Sequence, residues 1–200
     1  VNVVKSAIFE RPDDANKGTL GSLLCVCGSY GMAGAAVMSA KGALRTGIGL
    51  AKCALPRSIY PIVAQTILES VYYPLSENAD GRISKVNVPF LVSESCKSSA
   101  TLVGCGFGVC DDTLKIVFSL IENSTTPLVL DADALNCVAK QPEILLRKKA
   151  PIIITPHPGE MSRLTGLATP LVNAERQRVA LDFAQKYGVV TVLKGAGTVI

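Results

Sequence analysis

Histidine is almost absent from this chain, with His157 alone among 200 residues, and aromatic residues make up only 5%. One imidazole cannot build a histidine-based metal centre, and no serine or acid lies in sequence reach of it to form a hydrolase triad. Long apolar runs are also lacking. Residues 23–27 and 152–154 are among the longest, far short of the ~18 consecutive apolar residues of a membrane span, so no membrane partner is expected. Residues 1–14 show no basic segment leading into an apolar stretch and a small-residue cleavage site, which points to a cytoplasmic location, although the start at Val1 leaves room for a trimmed leader. The seven cysteines form an odd, scattered set that excludes a disulfide framework or a paired zinc motif, so they are expected to be reduced packing residues. The net charge of +4 is spread along the chain, with only Arg147-Lys148-Lys149 as a short run. No aromatics interleave with these basic residues, which argues against nucleic acid and leaves phosphorylated small molecules as compatible ligands.

What the sequence does have is aliphatic residues in short runs. A hydrophobic fraction of 48% suits strands buried on both faces. Strand-like runs at residues 23–27, 50–55, 69–73, 100–103, 128–130, 152–155 and 189–193 alternate with helical periodicity in a βαβ rhythm. Ala33, Ala36, Val37, Ala40, Ala43 and Leu44 share one helical face that Gly47 should stop. Further helices are expected over 58–67, where Pro61 falls in the first turn, and over 112–122, with Asp111 or Asp112 as the cap. Others follow over 132–139, over 160–164 and, as one long helix, over 173–187. This predicts an α/β fold with six or more strands in one mostly parallel layer, a single domain over residues 1–200, and ligands at the carboxyl ends of the strands.

Four junctions at those ends draw attention. Gly28-Ser29-Tyr30-Gly31-Met32-Ala33-Gly34-Ala35-Ala36 leads into a helix whose free N–H groups favour an anion, though an ordinary tight turn explains it equally well. Gly104-Cys105-Gly106-Phe107-Gly108 could lie against a phosphate or a flat ring. As a Rossmann fingerprint it is out of register, since Val109 stands where the third glycine belongs; the Asp131 that ends the next strand keeps that alternative open. In Thr155-Pro156-His157-Pro158-Gly159-Glu160 two prolines hold the imidazole at the mouth, which favours substrate contact over a satisfied surface histidine. In Lys194-Gly195-Ala196-Gly197-Thr198 the lysine precedes the glycines, so this is no Walker A loop. Its ammonium and backbone N–H groups can still clamp phosphate, with a plain hairpin turn as the alternative.

In order, these junctions resemble the carbohydrate-kinase-like family of NAD(P)H-hydrate dehydratases within the ribokinase-like superfamily. The likeness runs through Lys17-Gly18, Gly21, residues 43–50, the Asp131-Ala132-Asp133-Ala134-Leu135-Asn136 string and the TPHPGE and KGAGT motifs. It implies a ribokinase-like three-layer α/β/α fold and a nucleotide-dependent dehydration of hydrated NADH or NADPH, with ADP or ATP as co-substrate and Mg²⁺ as cofactor. By the same resemblance, Ala35, Gly106 and His157 contact the hydrated dinucleotide, Lys194, Gly195, Ala196, Gly197 and Thr198 hold the adenine nucleotide, and Glu160 organises Mg²⁺ through water. Asp131 and Asn136 are ligand contacts or structural caps, with Asn136 leaning to structure. An NAD(P)H-hydrate epimerase is the implied functional partner, and a homo-oligomer is expected.

One departure from the family pattern is large. The G-G-x-G-D-type segment with its catalytic aspartate belongs after Ile200, so the catalytic residue is unknown within this chain. The C-terminal part of the fold is expected to be missing and the 200 residues alone are expected not to turn over. The alternatives are a kinase for a hydroxymethylpyrimidine or thiazole, against which TPHPGE in place of a TPN-type motif speaks, and a non-catalytic nucleotide-binding protein.

Overall fold

Aliphatic strands alternate with helices through residues 13–200, the part of the chain that the computed structural model describes; most of the N-terminal stretch discussed above, residues 1–12, lies outside the described residues. The strands are β1 (Ser22–Val26), β2 (Leu50–Pro56), β3 (Val71–Leu75), β4 (Ala100–Val103), β5 (Leu128–Leu130), β6 (Ile152–Ile154) and β7 (Val190–Thr191). The helices are α1 (Ala33–Arg45), α2 (Tyr60–Ala64), α3 (Val88–Cys96), α4 (Asp111–Asn123), α5 (Asp133–Val138), α6 (Pro158–Thr165), α7 (Thr169–Ala174) and α8 (Arg176–Tyr187). All seven strands pair in parallel, in the order β3-β2-β1-β4-β5-β6-β7. The order reverses between β1 and β4, and in an open α/β sheet that switch point opens a crevice at the strand carboxyl ends. The turns that leave these two strands are the first two glycine-rich junctions.

The register sorts side chains into two rows. Ala54, Val26, Val103, Leu130, Ile154 and Thr191 align across the sheet and are buried throughout, under α3 to α8. Cys53, Cys25, Leu102, Val129, Ile153 and Val190 form the corresponding row of the opposite face. Cys53 and Cys25 are buried there with Ala36 and Ala40 of α1 and Val63 of α2, while Leu102, Val129 and Ile153 are half-buried and Val190 is 48% exposed. The α/β/α layering is therefore complete over β1 to β3 and thins toward β7 among the described residues. All seven cysteines are free; Cys25 of β1 and Cys27, one residue past its end, pack in the same buried cluster. No helix among the described residues is long and apolar enough to cross a membrane.

Several local expectations change. α4 is capped by Cys110, whose N–H donates to the Thr113 hydroxyl at 2.9 Å, so Asp111 and Asp112 occupy the first turn and favour the positive end of the dipole instead of capping it. Helix 58–67 begins as a 3₁₀ turn at Arg57–Ile59 and ends at Ala64. The long helix expected over 173–187 breaks at Glu175 (φ −120°, ψ 37°) into α7 and α8. The break lets Arg176 reach sideways, where its guanidinium donates to the carbonyls of Leu193 at 2.8 Å and Lys194 at 3.0 Å. β7 is shorter than residues 189–193 because Leu193 leaves the sheet to pair with Val199 in an antiparallel bridge. Helix α3 carries no strong sequence signal; Pro89 opens it and Ser93, Glu94 and Ser95 dilute its apolar face.

Candidate functional site

The carboxyl edge of β1, β4, β5, β6 and β7 carries one hydrogen-bonded rail. At the switch point, the Gly28 N–H donates to the Cys105 carbonyl (2.8 Å) and the buried Ser29 hydroxyl to the Gly106 carbonyl (2.8 Å), which clamps the first glycine junction onto the second. Gly106 adopts φ 64°, and a Cβ on it would stand 2.6 Å from the Ala35 Cβ. Ala35 and Gly106 therefore meet, and the contact demands two very small residues. Gly104 (φ 119°) passes so close to the next crossover that a Cβ would overlap the Asp131 carbonyl oxygen and approach the Ala134 Cβ to 2.6 Å. Ala132, just beyond, holds φ 49° and ψ −116°, a strained geometry for a residue with a side chain. It is locked in place by the Leu135 and Asn136 N–H groups, which donate to its carbonyl at 3.0 and 3.2 Å.

Asp131 is the hub of the rail. Its Oδ1 accepts from Lys194 Nζ at 2.6 Å and from the Thr155 hydroxyl at 2.7 Å, and the Cys105 thiol approaches Oδ2 at 3.5 Å. Burial disfavours its charge, but the hydrogen bond and positive charge of Lys194, with the Thr155 hydroxyl, outweigh that and hold the carboxyl below its ordinary value. The neighbouring thiols diverge: a hydrogen bond from Cys27 holds Cys105 below the usual range against burial, while that bond and burial push Cys27 well above it. Lys194 is thus not a free cation; Asp131 fixes its ammonium at the mouth. The KGAGT turn is a hairpin closed by the Leu193–Val199 bridge and by Thr198 Oγ1, which donates to the Gly195 carbonyl at 3.1 Å. A cavity of about 560 Å³ lies beside it, bounded by Arg176, Arg178, Gly197 and Val199 among others.

The His157 motif turns out to be a helix cap as well. Nδ1 accepts from the Gly159 and Glu160 N–H groups at 3.0 and 3.2 Å, so the ring proton resides on Nε2, which faces Glu160 Oε1 at 3.3 Å. Glu160 Oε2 accepts the His157 N–H at 2.8 Å, completing a reciprocal capping box on α6. The Lys194 N–H donates to the Pro156 carbonyl at 2.8 Å, so the histidine junction and the KGAGT turn are adjacent. Of the expected site residues, the fold thus brings Ala35 to Gly106, and His157 and Glu160 to residues 194–198, with Asp131 and Thr155 between the two groups. Glu160 Oε2 is engaged by the His157 N–H and its Oε1 lies 3.3 Å from the imidazole Nε2, and among the described residues no cluster of three acid, histidine or cysteine ligands converges on a metal position. Sequence reasoning missed Arg176, Ser29 and Asp133; only the crossing of remote backbone segments reveals their roles.

The family model described as NAD(P)H-hydrate dehydratase matches residues 23–200, the span that holds the glycine junctions, the DADALN crossover and the capped TPHPGE helix. The chain belongs to that family. Among relatives of the dehydratase family, it is 38% identical over 190 residues to the bifunctional NAD(P)H-hydrate repair enzyme of Thermofilum pendens, covering 95% of this chain and 36% of that one. It is 31% identical over 193 residues to the ADP-dependent (S)-NAD(P)H-hydrate dehydratase of Neisseria meningitidis, covering 95% and 61%. The ADP/ATP-dependent NAD(P)H-hydrate dehydratase of Bacillus subtilis, co-crystallised with ATP and Mg²⁺, superposes with a TM-score of 0.77 at 28% identity, covering 96% of this chain and 64% of that one. The chain thus spans about a third of the bifunctional relative and less than two thirds of the other two.

Proposed function

We propose that the protein containing this chain restores hydrated NADH and NADPH by nucleotide-dependent dehydration, with ADP or ATP consumed. The observation that carries this is the rail itself: a small-residue crevice at the switch point (Ala35, Gly106) and a lysine-anchored hairpin (residues 194–198) share one edge, tied together through Asp131. In this reading a flat dinucleotide ring lies over the small-residue surface that Ala35 and Gly106 form beside Met32, and the phosphates of a second nucleotide meet the backbone N–H groups and the ammonium of the hairpin. On the same reading His157, which follows β6, contacts the dinucleotide through its half-exposed imidazole. The substrate hydroxyl attacks the terminal phosphorus, its bond to the bridging oxygen breaks, and AMP or ADP departs. The phosphorylated hydroxyl then leaves as inorganic phosphate while the adjacent ring carbon loses a proton and the double bond returns.

Taking the proton from the hydroxyl falls to neither carboxylate of the rail, since Asp131 is held by Lys194 and Thr155 and Glu160 by His157. That role is assigned, by the family pattern, to the aspartate of a G-G-x-G-D-type segment outside the rail. The donor set does not fit a directly bound metal; Mg²⁺ would come with the nucleotide phosphates, with Glu160 reaching it only through water. We place the reaction in the cytoplasm, downstream of an NAD(P)H-hydrate epimerase, in an assembly of like copies.

The test uses full-length protein with hydrated NADH or NADPH, ADP or ATP and Mg²⁺, following the reduced-nicotinamide absorbance. Nucleotide-dependent recovery is expected. Recovery without nucleotide would overturn the proposal, and phosphorylation of a hydroxymethylpyrimidine or thiazole alone would show a kinase of the same fold instead.

A further inference from the structure

Beyond His157 along α6 lies a positioned guanidinium that the rail does not use. Arg163 Nε donates to Asn136 Oδ1 at 2.8 Å, and Asn136 Nδ2 donates to Asp133 Oδ1 at 3.3 Å. Asp133 Oδ2 in turn accepts the Gly108 N–H at 2.8 Å. This relay runs from the glycine loop to the arginine and fixes the orientation of its fork while leaving both terminal nitrogens without a protein acceptor among the described residues. Arg163 and Lys140 line one cavity of about 540 Å³ with Val109, Asn136 and Ala139, and neither cation is paired with a carboxylate among the described residues. Arg163 also lies close to His157: a Cβ on Gly159 would stand 2.9 Å from His157 Cε1 and 4.0 Å from an Arg163 terminal nitrogen, so imidazole and guanidinium approach the same glycine.

A pre-oriented arginine fork, a lysine and no neutralising acid form an anion site, and a planar fork suits phosphate oxygens through paired N–H bonds. We propose that Arg163 and Lys140, held in place through Asn136 and Asp133, bind a phosphate of the hydrated dinucleotide whose ring lies at Ala35, Gly106 and His157. This rests on the proposed dehydratase reading and adds to it a specificity site. It also gives Asn136 a definite task, that of a positioning residue for the arginine. Two phosphate groups share the chemistry, the 2′-phosphate that only the NADPH form carries and the pyrophosphate common to both.

Equilibrium titration of full-length protein with NADP⁺, NAD⁺ and ADP as probes tests this, comparing the wild type with Arg163→Met and Lys140→Met. Arg163→Met is expected to weaken dinucleotide binding about tenfold and Lys140→Met about threefold, the scale of a lost charge-assisted hydrogen bond, with ADP affinity unchanged. Weakening confined to NADP⁺ upholds the proposal and assigns the 2′-phosphate; equal weakening for NAD⁺ upholds it and assigns the pyrophosphate. Unchanged dinucleotide affinity in both variants overturns the site while leaving the dehydratase reading intact. A wild type that binds ADP but neither dinucleotide overturns that reading and this one with it. Lys140 is exposed, so its variant decides the matter if Arg163→Met fails to fold.

Discussion

Single residues at the carboxyl edge are constrained by backbone proximity as much as by chemistry. Gly104 has φ 119° and passes against the Asp131 carbonyl, so Gly104→Ala adds both backbone strain and an overlap with a main-chain atom that cannot rotate away. The expected loss is about 3 kcal/mol or more of unfolding free energy, readable as a lower denaturation midpoint. Asp131 makes a different kind of demand. Its carboxyl is held below the ordinary value of 3.8 in the folded protein, so the stabilisation from its ionised form is fully present above that value and fades as pH falls through the lower folded one. Asp131→Asn should therefore cost about 1–2 kcal/mol at neutral pH, and urea midpoints of variant and wild type should converge below about 3.8. A gap that persists in acid would mean that packing, and not charge, is the cause.

At the scale of elements, the start of α6 joins an observed cap to a proposed ligand contact. The TPHPGE string reads in sequence as a contact loop, whereas the fold makes it a capping box in which His157 satisfies two orphan N–H groups of the helix and Glu160 returns the favour. Asparagine is a good N-cap but has no imidazole, so His157→Asn separates the tasks. It should keep the melting temperature close to that of the wild type while raising KM for the hydrated dinucleotide. His157→Ala should lose about 1 kcal/mol of stability as well. An unchanged KM in both would reduce the histidine to its cap. The strands were legible because aliphatic runs bounded by glycine and proline have few other readings; 100–103 and 128–130 came out at the expected bounds. Helix α3 was not legible, because what it buries includes Ser95, whose hydroxyl meets those of Thr101 at 2.9 Å and Ser124 at 2.7 Å. A polar residue buried by partners far away in sequence looks like a surface residue until the partners are placed.

At the scale of the whole molecule, the two faces of the sheet differ in cover. Ile154 lies in the row that is buried from end to end, and Val190 ends the row that emerges toward β7. Ile154→Lys should remove several kcal/mol, since an ammonium there has no partner, while Val190→Lys should stay within about 0.5 kcal/mol; comparable losses in chemical unfolding would show that the second row is covered as tightly as the first. Both carboxylates of the rail are already engaged, so on the proposed reading this chain by itself is expected to bind ADP or ATP and show no dehydration, and turnover at the full-length rate would sink that view. The sequence by itself determined the α/β class, the strand runs, the family and the identity of the junction motifs, because each is written in local pattern and spacing. Only the tertiary structure decided that Ala35 meets Gly106, that Asp131 holds Lys194 and that Arg163 is aimed by Asn136. Those facts depend on which remote strand ends become neighbours, and the parallel order β1-β4-β5-β6-β7 sets that through contacts that no local pattern contains.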